Sequence, residues 1–334
     1  MPNPSVASQP LINTDGAIRH APQHKAPEAL AVDQLRRSYG EMEAVKGISF
    51  EIHEGEVFGL LGPNGAGKTT TISVLSTQLR PSSGDARVLG RSVRDNARAV
   101  RPTIGVVPQE ISMYPALTAA ENVRFFGRMY GIQPATLDQR VESLLELVGL
   151  QGRRDDPAGT FSGGMKRRLN LAVSLVHQPR VLLLDEPTAG VDPHSRQHIF
   201  DIIRDLRRQG TAILYTTHYM EEAEALCDRL AILDEGKIVA MGTLEQLLTT
   251  MRCTETIQIR GVPATEVTGR LGSYPAVTHI EVDGETARVF VRRSTDLLGP
   301  LQKLLEKHDG ASLQISPMSL GDLFLHLTGK ELRD

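Results

Sequence analysis

A glycine-rich stretch between two apolar runs is the first part of the sequence with the residue types for chemistry. Residues 62–69 read GPNGAGKT, which matches the phosphate-loop pattern GxxxxGK[ST]. Glycines let successive backbone N–H groups curve around phosphate oxygens, and a helix starting there adds partial positive charge. Lys68 would then reach the β- and γ-phosphates of a nucleotide, and the Thr69 hydroxyl would bind Mg²⁺. The candidate binding residues of this loop are Gly62, Pro63, Asn64, Gly65, Ala66, Gly67, Lys68, Thr69 and Thr70.

Two adjacent carboxylates end another apolar run, VLLLDEP at 181–187. A carboxylate at the end of a buried strand is costly unless a cation compensates it, so Asp185 is a candidate Mg²⁺ ligand. Glu186 is placed to orient or deprotonate a water that attacks the γ-phosphate, the role of a general base. The alternative is an acidic strand end that faces solvent.

Two more polar side chains follow apolar runs. His218 ends TAILYTTH, and the carboxyl ends of strands in open α/β sheets line the ligand crevice. It is therefore a candidate to hydrogen-bond the γ-phosphate, although a lone histidine is more often structural. Gln109 follows IGVVP, and its amide is a candidate ligand of the metal ion or of the attacking water. Many glutamines in such a place have no role.

A second glycine turn, FSGGM at 161–165, precedes the helical run KRRLNLAVSLV. Ser162, Gly163 and Gly164 would begin that helix and offer another set of backbone N–H groups to an anion. One triphosphate does not need two such cradles, so the second is expected to serve the nucleotide of a partner molecule in a head-to-tail dimer. The alternative is an ordinary helix start. The following residues, Lys166 to Arg168, are expected to be a solvated helix face.

Hydrophobic periodicity indicates the elements that position these residues. Continuous apolar runs alternating with helical stretches predict buried parallel strands of an α/β core, at 104–107, 181–184 and 212–215. An antiparallel part is expected before them, at 30–35, 47–52 and 57–61. A helical insert is expected over 113–180, and a hairpin over 231–242. From about residue 251 the order βαββαβ predicts a split-βαβ sandwich.

Length and composition agree with this reading. The chain has 334 residues with 37 basic and 40 acidic side chains, so no basic excess argues for nucleic acid. Cys227 and Cys253 have neither disulfide-framework nor metal spacing. The polar, proline-rich residues 1–28 are expected to be a loose tail. Since no run approaches a membrane span, any membrane work would need another chain to do the spanning.

Taken together, the motifs resemble the ATP-binding subunit of ABC transporters over roughly residues 29–245. The resemblance rests on GPNGAGKTT, Gln109, FSGGM, VLLLDEP, AGVD at 189–192 and His218. It implies a P-loop NTPase cassette with a RecA-like α/β core, an antiparallel β subdomain and a helical subdomain. It also implies that Tyr39 stacks on adenine and that Asp192 lies in a loop crossing the dimer interface. Thr69, Gln109 and Asp185 are the metal candidates, and Glu186, His218, Gln109 and Asp192 the catalytic ones.

Met165 departs from the family pattern, which usually has glutamine after the two glycines. Methionine there, with Lys-Arg-Arg following, resembles the subset of ABC exporters that includes daunorubicin-type drug exporters and nodulation-signal exporters. The expected domains are the tail at 1–28, the cassette at 29–250 and an accessory α+β domain of ferredoxin-like type at 251–334.

The resemblance implies an ATPase that uses ATP and Mg²⁺ to power export of a drug, lipid, glycolipid or polysaccharide. Separate membrane permease subunits would do the translocating at the cytoplasmic face of the cell membrane. The subunit would pair with a copy of itself or with another ATP-binding subunit. Two alternatives stay open, namely a soluble ABC ATPase acting on nucleic acid or ribosomes, and a non-transport regulatory switch.

Overall fold

The computed structural model describes residues 11–12, 18–19, 26–250, 253–284, 286–308 and 310–329. The strands are β1 (Leu11–Ile12), β2 (Ile18–Arg19), β3 (Glu28–Tyr39), β4 (Met42–His53), β5 (Val57–Leu61), β6 (Ser83–Val88), β7 (Arg91–Ser92), β8 (Ile104–Val107), β9 (Val181–Asp185), β10 (Ala212–Thr217), β11 (Arg229–Asp234), β12 (Lys237–Gly242), β13 (Glu255–Arg260), β14 (Val277–Asp283), β15 (Thr286–Val291) and β16 (Ser312–Pro317). The α-helices are α1 (Lys68–Leu75), α2 (Ala97–Val100), α3 (Ala119–Met129), α4 (Pro134–Leu147), α5 (Gly163–Leu175), α6 (Pro193–Arg208), α7 (Met220–Leu226), α8 (Leu244–Thr250), α9 (Ala264–Leu271), α10 (Leu298–Leu305) and α11 (Leu320–Thr328). Short 3₁₀ turns occupy Arg101–Thr103, Gln151–Arg153, Ala158–Thr160 and Ser294–Leu297.

Backbone contacts divide the described residues into two compact units. One contains 26–241, and the other contains 242–329 with the antiparallel pair β1–β2. Most of the predicted tail at 1–28 lies outside the described residues. Within the described part of the chain, no helix is both long and apolar enough to cross a lipid bilayer.

The first unit is built on a sheet that contains strands in the order β12-β11-β5-β10-β9-β8. Strands β5, β9 and β10 are buried at every position, which explains their continuous apolar runs. The predicted grouping of 57–61 with the antiparallel part is wrong, because β5 pairs in parallel with both β10 and β11. Strand β5 therefore lies between β10 and β11, and does not pair with the β3–β4 hairpin that precedes it in the sequence.

A separate antiparallel sheet in the order β4-β3-β6-β7, as predicted for 30–35 and 47–52, shares an apolar cluster with the parallel strands. The helical insert consists of α3 and α4, which pack with α5 on a common apolar cluster. Helix α3 begins at a capping box, in which Thr118 accepts from the Glu121 N–H and the Glu121 carboxylate accepts from the Thr118 N–H.

The second unit contains an antiparallel sheet in the order β14-β15-β13-β16. Helix α9 joins β13 to β14 and helix α10 joins β15 to β16, so the predicted split-βαβ order is confirmed. The apolar cluster of this unit includes Ile257 and Val289 from the strands and Leu271 and Leu304 from the helices. Pro300 lies in the first turn of α10, where its missing N–H costs no helical hydrogen bond. Helices α8 and α11 also belong to this unit.

Candidate active site

The phosphate loop runs from the end of β5 to the start of α1, as the spacing predicted. Two of its glycines are required by close neighbours. A side chain at Gly62 would come within 2.3 Å of the Leu233 carbonyl oxygen, and one at Gly67 within 2.6 Å of the Ala44 carbonyl oxygen. Gly67 also has a left-handed φ of 108°. A side chain at Gly65 would meet nothing within 4 Å, so the opposite side of the loop is open.

Lys68 folds back over its own loop. The side chain is only 4% exposed, and its Nζ donates to the carbonyl oxygens of Gly62 at 2.6 Å and Pro63 at 3.1 Å. It also lies 3.1 Å from Oε1 of Glu186. Asn64 and Thr69 are exposed, Ala66 is buried and Thr70 is half-buried. The Lys68 ammonium group is thus held next to the backbone of the phosphate loop.

Asp185 meets Thr69, as expected of two ligands to one metal ion. The Asp185 carboxylate is buried and accepts a hydrogen bond of 2.7 Å from Thr216 Oγ1. Burial raises the pKa of Asp185, while hydrogen bonds from Thr216 and Thr69 oppose that rise. A buried carboxylate next to two hydroxyls is a donor set that suits Mg²⁺. Thr216 was not anticipated from the sequence, where it reads as one more strand residue.

Glu186 lies at the centre of the predicted catalytic group. Its oxygens lie 3.1 Å from Lys68 Nζ, 3.1 Å from His218 Nδ1 and 3.5 Å from Gln109 Nε2. The backbone at Glu186 has a left-handed φ of 45°, which is strained for a residue with a side chain. Its N–H donates to the Thr216 carbonyl and hydroxyl, so the neighbouring strand holds this conformation. The structure therefore brings Lys68, Gln109, Glu186 and His218 together.

His218 follows β10, as the run TAILYTTH predicted. Its Nδ1 is buried and forms no hydrogen bond with the part of the chain that the structure describes, although it is at ion-pair distance from Glu186. The ring faces this cluster, where an imidazole N–H can donate to a phosphate oxygen.

A buried carboxylate that sequence reasoning missed lies behind His218. Glu222 accepts hydrogen bonds from the hydroxyls of Thr188 at 2.6 Å, Thr217 at 2.7 Å and Tyr215 at 2.9 Å. Arg196 of α6 lies 3.5 Å from it. These contacts join the segment after Glu186 to strand β10, which His218 follows. Glu222 falls in a helix with other acidic residues, so no local pattern indicated its burial.

The second glycine turn begins α5, with Ser162 accepting from the Met165 N–H at 3.3 Å. Gly163 is exposed, and a side chain there would meet nothing within 4 Å. At Gly164 a side chain would come within 2.3 Å of Ser195 Oγ and 3.2 Å of Asp192 Oδ2. The turn therefore has one open glycine and one packed glycine, and the packed one contacts the loop that starts α6.

Asp192 caps helix α6 in the same chain. Its Oδ1 accepts from the Ser195 N–H at 2.9 Å, and hydrogen bonds from Ser195 lower the pKa of Asp192. The FSGGM turn and the loop that starts α6 are about thirty positions apart in the sequence. Local periodicity therefore could not predict their contact.

Arg167 corrects the expectation of a solvated face after the second turn. It is buried, and its Nη1 donates to the carbonyl oxygens of Pro108 at 2.9 Å and Gln109 at 2.8 Å. Burial lowers the pKa of this guanidinium. Arg168 likewise donates to the Val148 carbonyl. The spacing of Gly164, Arg167 and Leu171 on one helix face was the available signal, since all three are buried.

Tyr39 ends β3 and is 42% exposed. Its register partner Met42 is two residues before Ala44, whose carbonyl borders Gly67 of the phosphate loop. The guanidinium carbon of Arg37 lies 4.9 Å from the centre of the Tyr39 ring. One ring face thus has a cation over it, and the ring is partly exposed.

Comparison with known proteins agrees with this geometry. Residues 45–189 match the family model described as ABC transporter. The linearmycin resistance ATP-binding protein LnrL of Bacillus subtilis is 41% identical over 310 residues, covering 91% of this chain and 100% of the relative. The Nod factor export ATP-binding protein I of Ralstonia nicotianae is 38% identical over 335 residues, covering 100% of this chain and 98% of the relative.

Solved structures show the same similarity for the cassette. A structure described as the ATP binding subunit of an ABC transporter has a TM-score of 0.62 and 29% identity, covering 66% of this chain and 92% of that one. CbiO1 from Clostridium perfringens, part of the ABC transporter complex cbiONQ, has a TM-score of 0.62 and 28% identity, covering 73% and 96%. The chain therefore belongs to the ABC transporter family, as one of its ATP-binding, ATP-hydrolysing subunits.

Proposed function

We propose that this subunit powers export through separate membrane-spanning permease subunits, at the cytoplasmic face of the membrane. The observation that supports export is the length of the similarity. An export ATP-binding protein matches the whole of this chain, including the split-βαβ unit that lies beyond the cassette. Met165 in the second glycine turn agrees with the same subset of exporters.

The site contains the groups that ATP hydrolysis needs. Lys68 and the backbone N–H groups of its loop bind the phosphates, and Tyr39 stacks on the adenine. Thr69, Asp185 and Gln109 would hold Mg²⁺, which neutralises charge on the phosphate oxygens. Glu186 accepts a proton from the attacking water, and the His218 imidazole hydrogen-bonds the γ-phosphate. Phosphate bound at Lys68 competes with Glu186 for the ammonium group, which releases the carboxylate for the water.

Dimerisation completes the proposed site. Ser162 and Gly163 are exposed and offer hydrogen-bond donors, which would bind the nucleotide held by a partner subunit. Asp192, next to Gly164, would lie in the same interface. ATP binding then favours a closed head-to-tail dimer, and hydrolysis shifts the population back to the open form. The partner is a second copy or another ATP-binding subunit.

The permease is proposed to dock on an exposed aromatic surface of the helical insert. Tyr114 and Phe125 are both partly exposed, with ring centres 4.7 Å apart, and Met129 on the same helix is exposed. Exposed apolar groups gathered in one place mark interaction sites. Tyr114 lies in the loop that follows Gln109, so a change at the phosphates can reach this surface over a short stretch of chain.

The test pairs an activity measurement with a binding measurement. Glu186→Gln should lower ATP hydrolysis by about 10²–10⁴-fold because it removes the proton acceptor, and should leave ATP binding intact. Lys68→Ala should instead weaken ATP binding. Hydrolysis at the normal rate by the Glu186→Gln chain in its membrane complex would rule out the assigned role.

Export itself is tested by the partner. Affinity purification of the intact chain from membranes should recover a multi-spanning permease, and reconstitution with it should give ATP-dependent movement of cargo. Recovery of ribosomes or nucleic acid would instead favour the soluble alternative. The stretch between Gln109 and Ser162 is too short for the long coiled-coil insertion that such relatives usually carry, which argues against that alternative.

A further inference from the structure

Two histidines and a glutamate meet in the second unit, away from the nucleotide site. One nitrogen from His279, one from His326 and one carboxylate oxygen from Glu281 all lie within 4.8 Å of one another. His279 and Glu281 belong to strand β14, and His326 belongs to helix α11. Nothing in the nucleotide chemistry accounts for this cluster.

The strand geometry explains why the three side chains converge. Successive strand residues point to opposite faces, so His279 and Glu281 share the face of Phe290, the register partner of His279. Val289 and Ile280 point the other way, toward the cluster that α9 and α10 cover. The Phe290 ring centre lies 5.9 Å from that of His279 and 6.3 Å from that of His326. The face that carries His279 and Glu281 is therefore the one that His326 reaches.

The distances are compatible with three ligands to one metal ion. His279 Nε2 lies 3.4 Å from Glu281 Oε1, and the two imidazole ring centres are 5.2 Å apart at 80°. Ligand atoms around a tetrahedral zinc lie about 3.3 Å apart, given metal–ligand bonds of about 2.0–2.2 Å. Rotation of the exposed His279 and His326 side chains would bring the ligand atoms to this spacing. Arg288 is the register partner of Glu281, and a carboxylate with two oxygens can serve a cation on each side.

We propose that His279, Glu281 and His326 form a zinc-type metal site in the C-terminal unit. Two imidazoles and one carboxylate favour Zn²⁺ or Co²⁺ over Mg²⁺, which prefers oxygen ligands. Three protein ligands leave the fourth tetrahedral position to water or to a group from another molecule. Bound metal would join β14, the edge strand of the sheet, to α11, and so stabilise this unit.

The test measures Zn²⁺ binding to the tag-free full chain by calorimetry, with Mg²⁺ as the comparison ion. The intact chain should bind one Zn²⁺ at micromolar concentration, and His326→Gln and His279→Gln should each weaken binding by at least about tenfold. His308→Gln is the matched control, because His308 pairs with Glu266 at 2.9 Å in the same unit but is not in the cluster. It should bind Zn²⁺ as the unchanged chain does.

Two results would overturn the proposal. One is equal zinc affinity in the unchanged chain and in both cluster variants, which would assign binding to other groups such as His20 and His24. The other is an absence of micromolar zinc binding by the unchanged chain. X-ray absorption of the zinc-loaded chain gives an independent check, since two imidazole nitrogens are expected among the atoms bonded to zinc and a set of oxygens alone contradicts the site.

Discussion

Gly163 and Gly164 of the second turn have different surroundings, since the first is open and the second packs on Ser195. Substitutions at the two positions can therefore distinguish a role in nucleotide binding from a role in packing. Gly163→Ala adds a methyl group where nothing lies within 4 Å, so stability should be unchanged or rise by up to about 1 kcal/mol. ATP hydrolysis by the assembled transporter should nevertheless fall, because the methyl group would face the partner's nucleotide. Thermal unfolding measures the stability, and an ATPase assay of the complex measures the hydrolysis.

Gly164→Ala is the comparison variant. Its methyl group would meet Ser195 at 2.3 Å, so it should lower the free energy of unfolding by about 1–3 kcal/mol whether or not nucleotide is present. If Gly163→Ala left hydrolysis in the complex at its full rate, the proposed contact of this turn with a partner's nucleotide would be refuted.

Arg167 positions the backbone at Gln109, and its removal tests whether that matters for turnover. Arg167→Met keeps the volume but leaves the Pro108 and Gln109 carbonyls without their donor. We expect hydrolysis to fall by about 10–100-fold, because a hydrogen bond from a charged group is worth about 1.5–3 kcal/mol. ATP affinity should change little.

The control for this variant is Arg168→Met. Arg168 is bonded to the Val148 carbonyl on another side of the helix, so its loss should affect stability but not turnover by the folded protein. Equal effects of the two changes on turnover would mean that Arg167 acts only through general stability.

The loop at 110–117 is attached to helix α3 through one buried amide, Asn122. Its Oδ1 accepts from the Tyr114 N–H at 2.8 Å, and its Nδ2 donates to the carbonyls of Tyr114, Leu117 and Thr118 at 3.0–3.2 Å. Asn122→Ala should cost about 1–3 kcal/mol of stability and speed hydrogen exchange at Tyr114. Transport per ATP should fall more than hydrolysis does, because the loop carries the aromatic surface.

Thr118→Ala provides the matched comparison at the same helix start. It removes the cap of α3, at a cost of about 0.5–2 kcal/mol, but leaves the Asn122 bond to Tyr114 in place. Coupling should then be retained. A loss of coupling as large as that of Asn122→Ala would show that the stability of the helix, and not the loop, is responsible.

The elements that the sequence predicted well are those with a local signal. Strands β9 and β10 are buried at every position and β8 at three of its four, so all three read as apolar runs, and β14 and β15 flank a short turn. The placement of β5 was missed because its two partners, β10 and β11, lie more than 150 positions away along the chain. Contacts that join distant segments, such as Gly164 with Ser195 or Glu222 with Thr188, have no periodicity that would reveal them.

The site was predictable to the extent that strand ends indicate a common edge. Lys68, Gln109, Glu186 and His218 each follow an apolar strand, and parallel strands bring such ends together. The supporting residues Thr216, Glu222 and Arg167 could not be predicted, because they are polar residues within strands or helices. Only their burial in the fold distinguishes them from solvent-facing side chains.

The division into two units makes a prediction for fragments of the chain. Helix α8 falls in the second unit, and its Leu247 is fully buried. A fragment of residues 242–334 should therefore be more stable than one of residues 251–334, by about 1.5–3 kcal/mol for the lost leucine contact. Urea unfolding of the two fragments measures this. Equal midpoints would argue that α8 belongs with the cassette.

One chain of contacts leads from the second glycine turn to the chain's own catalytic group. Gly164 packs on Ser195, Arg196 lies beside Glu222, and Glu222 binds the hydroxyl of Thr217, next to His218. If that turn binds the ATP of the partner subunit, the catalytic site of each subunit can respond to whether the partner's site is occupied. A pair made of one intact chain and one Lys68→Ala chain, whose site binds ATP weakly, should then hydrolyse ATP at well below half the rate of a pair of intact chains.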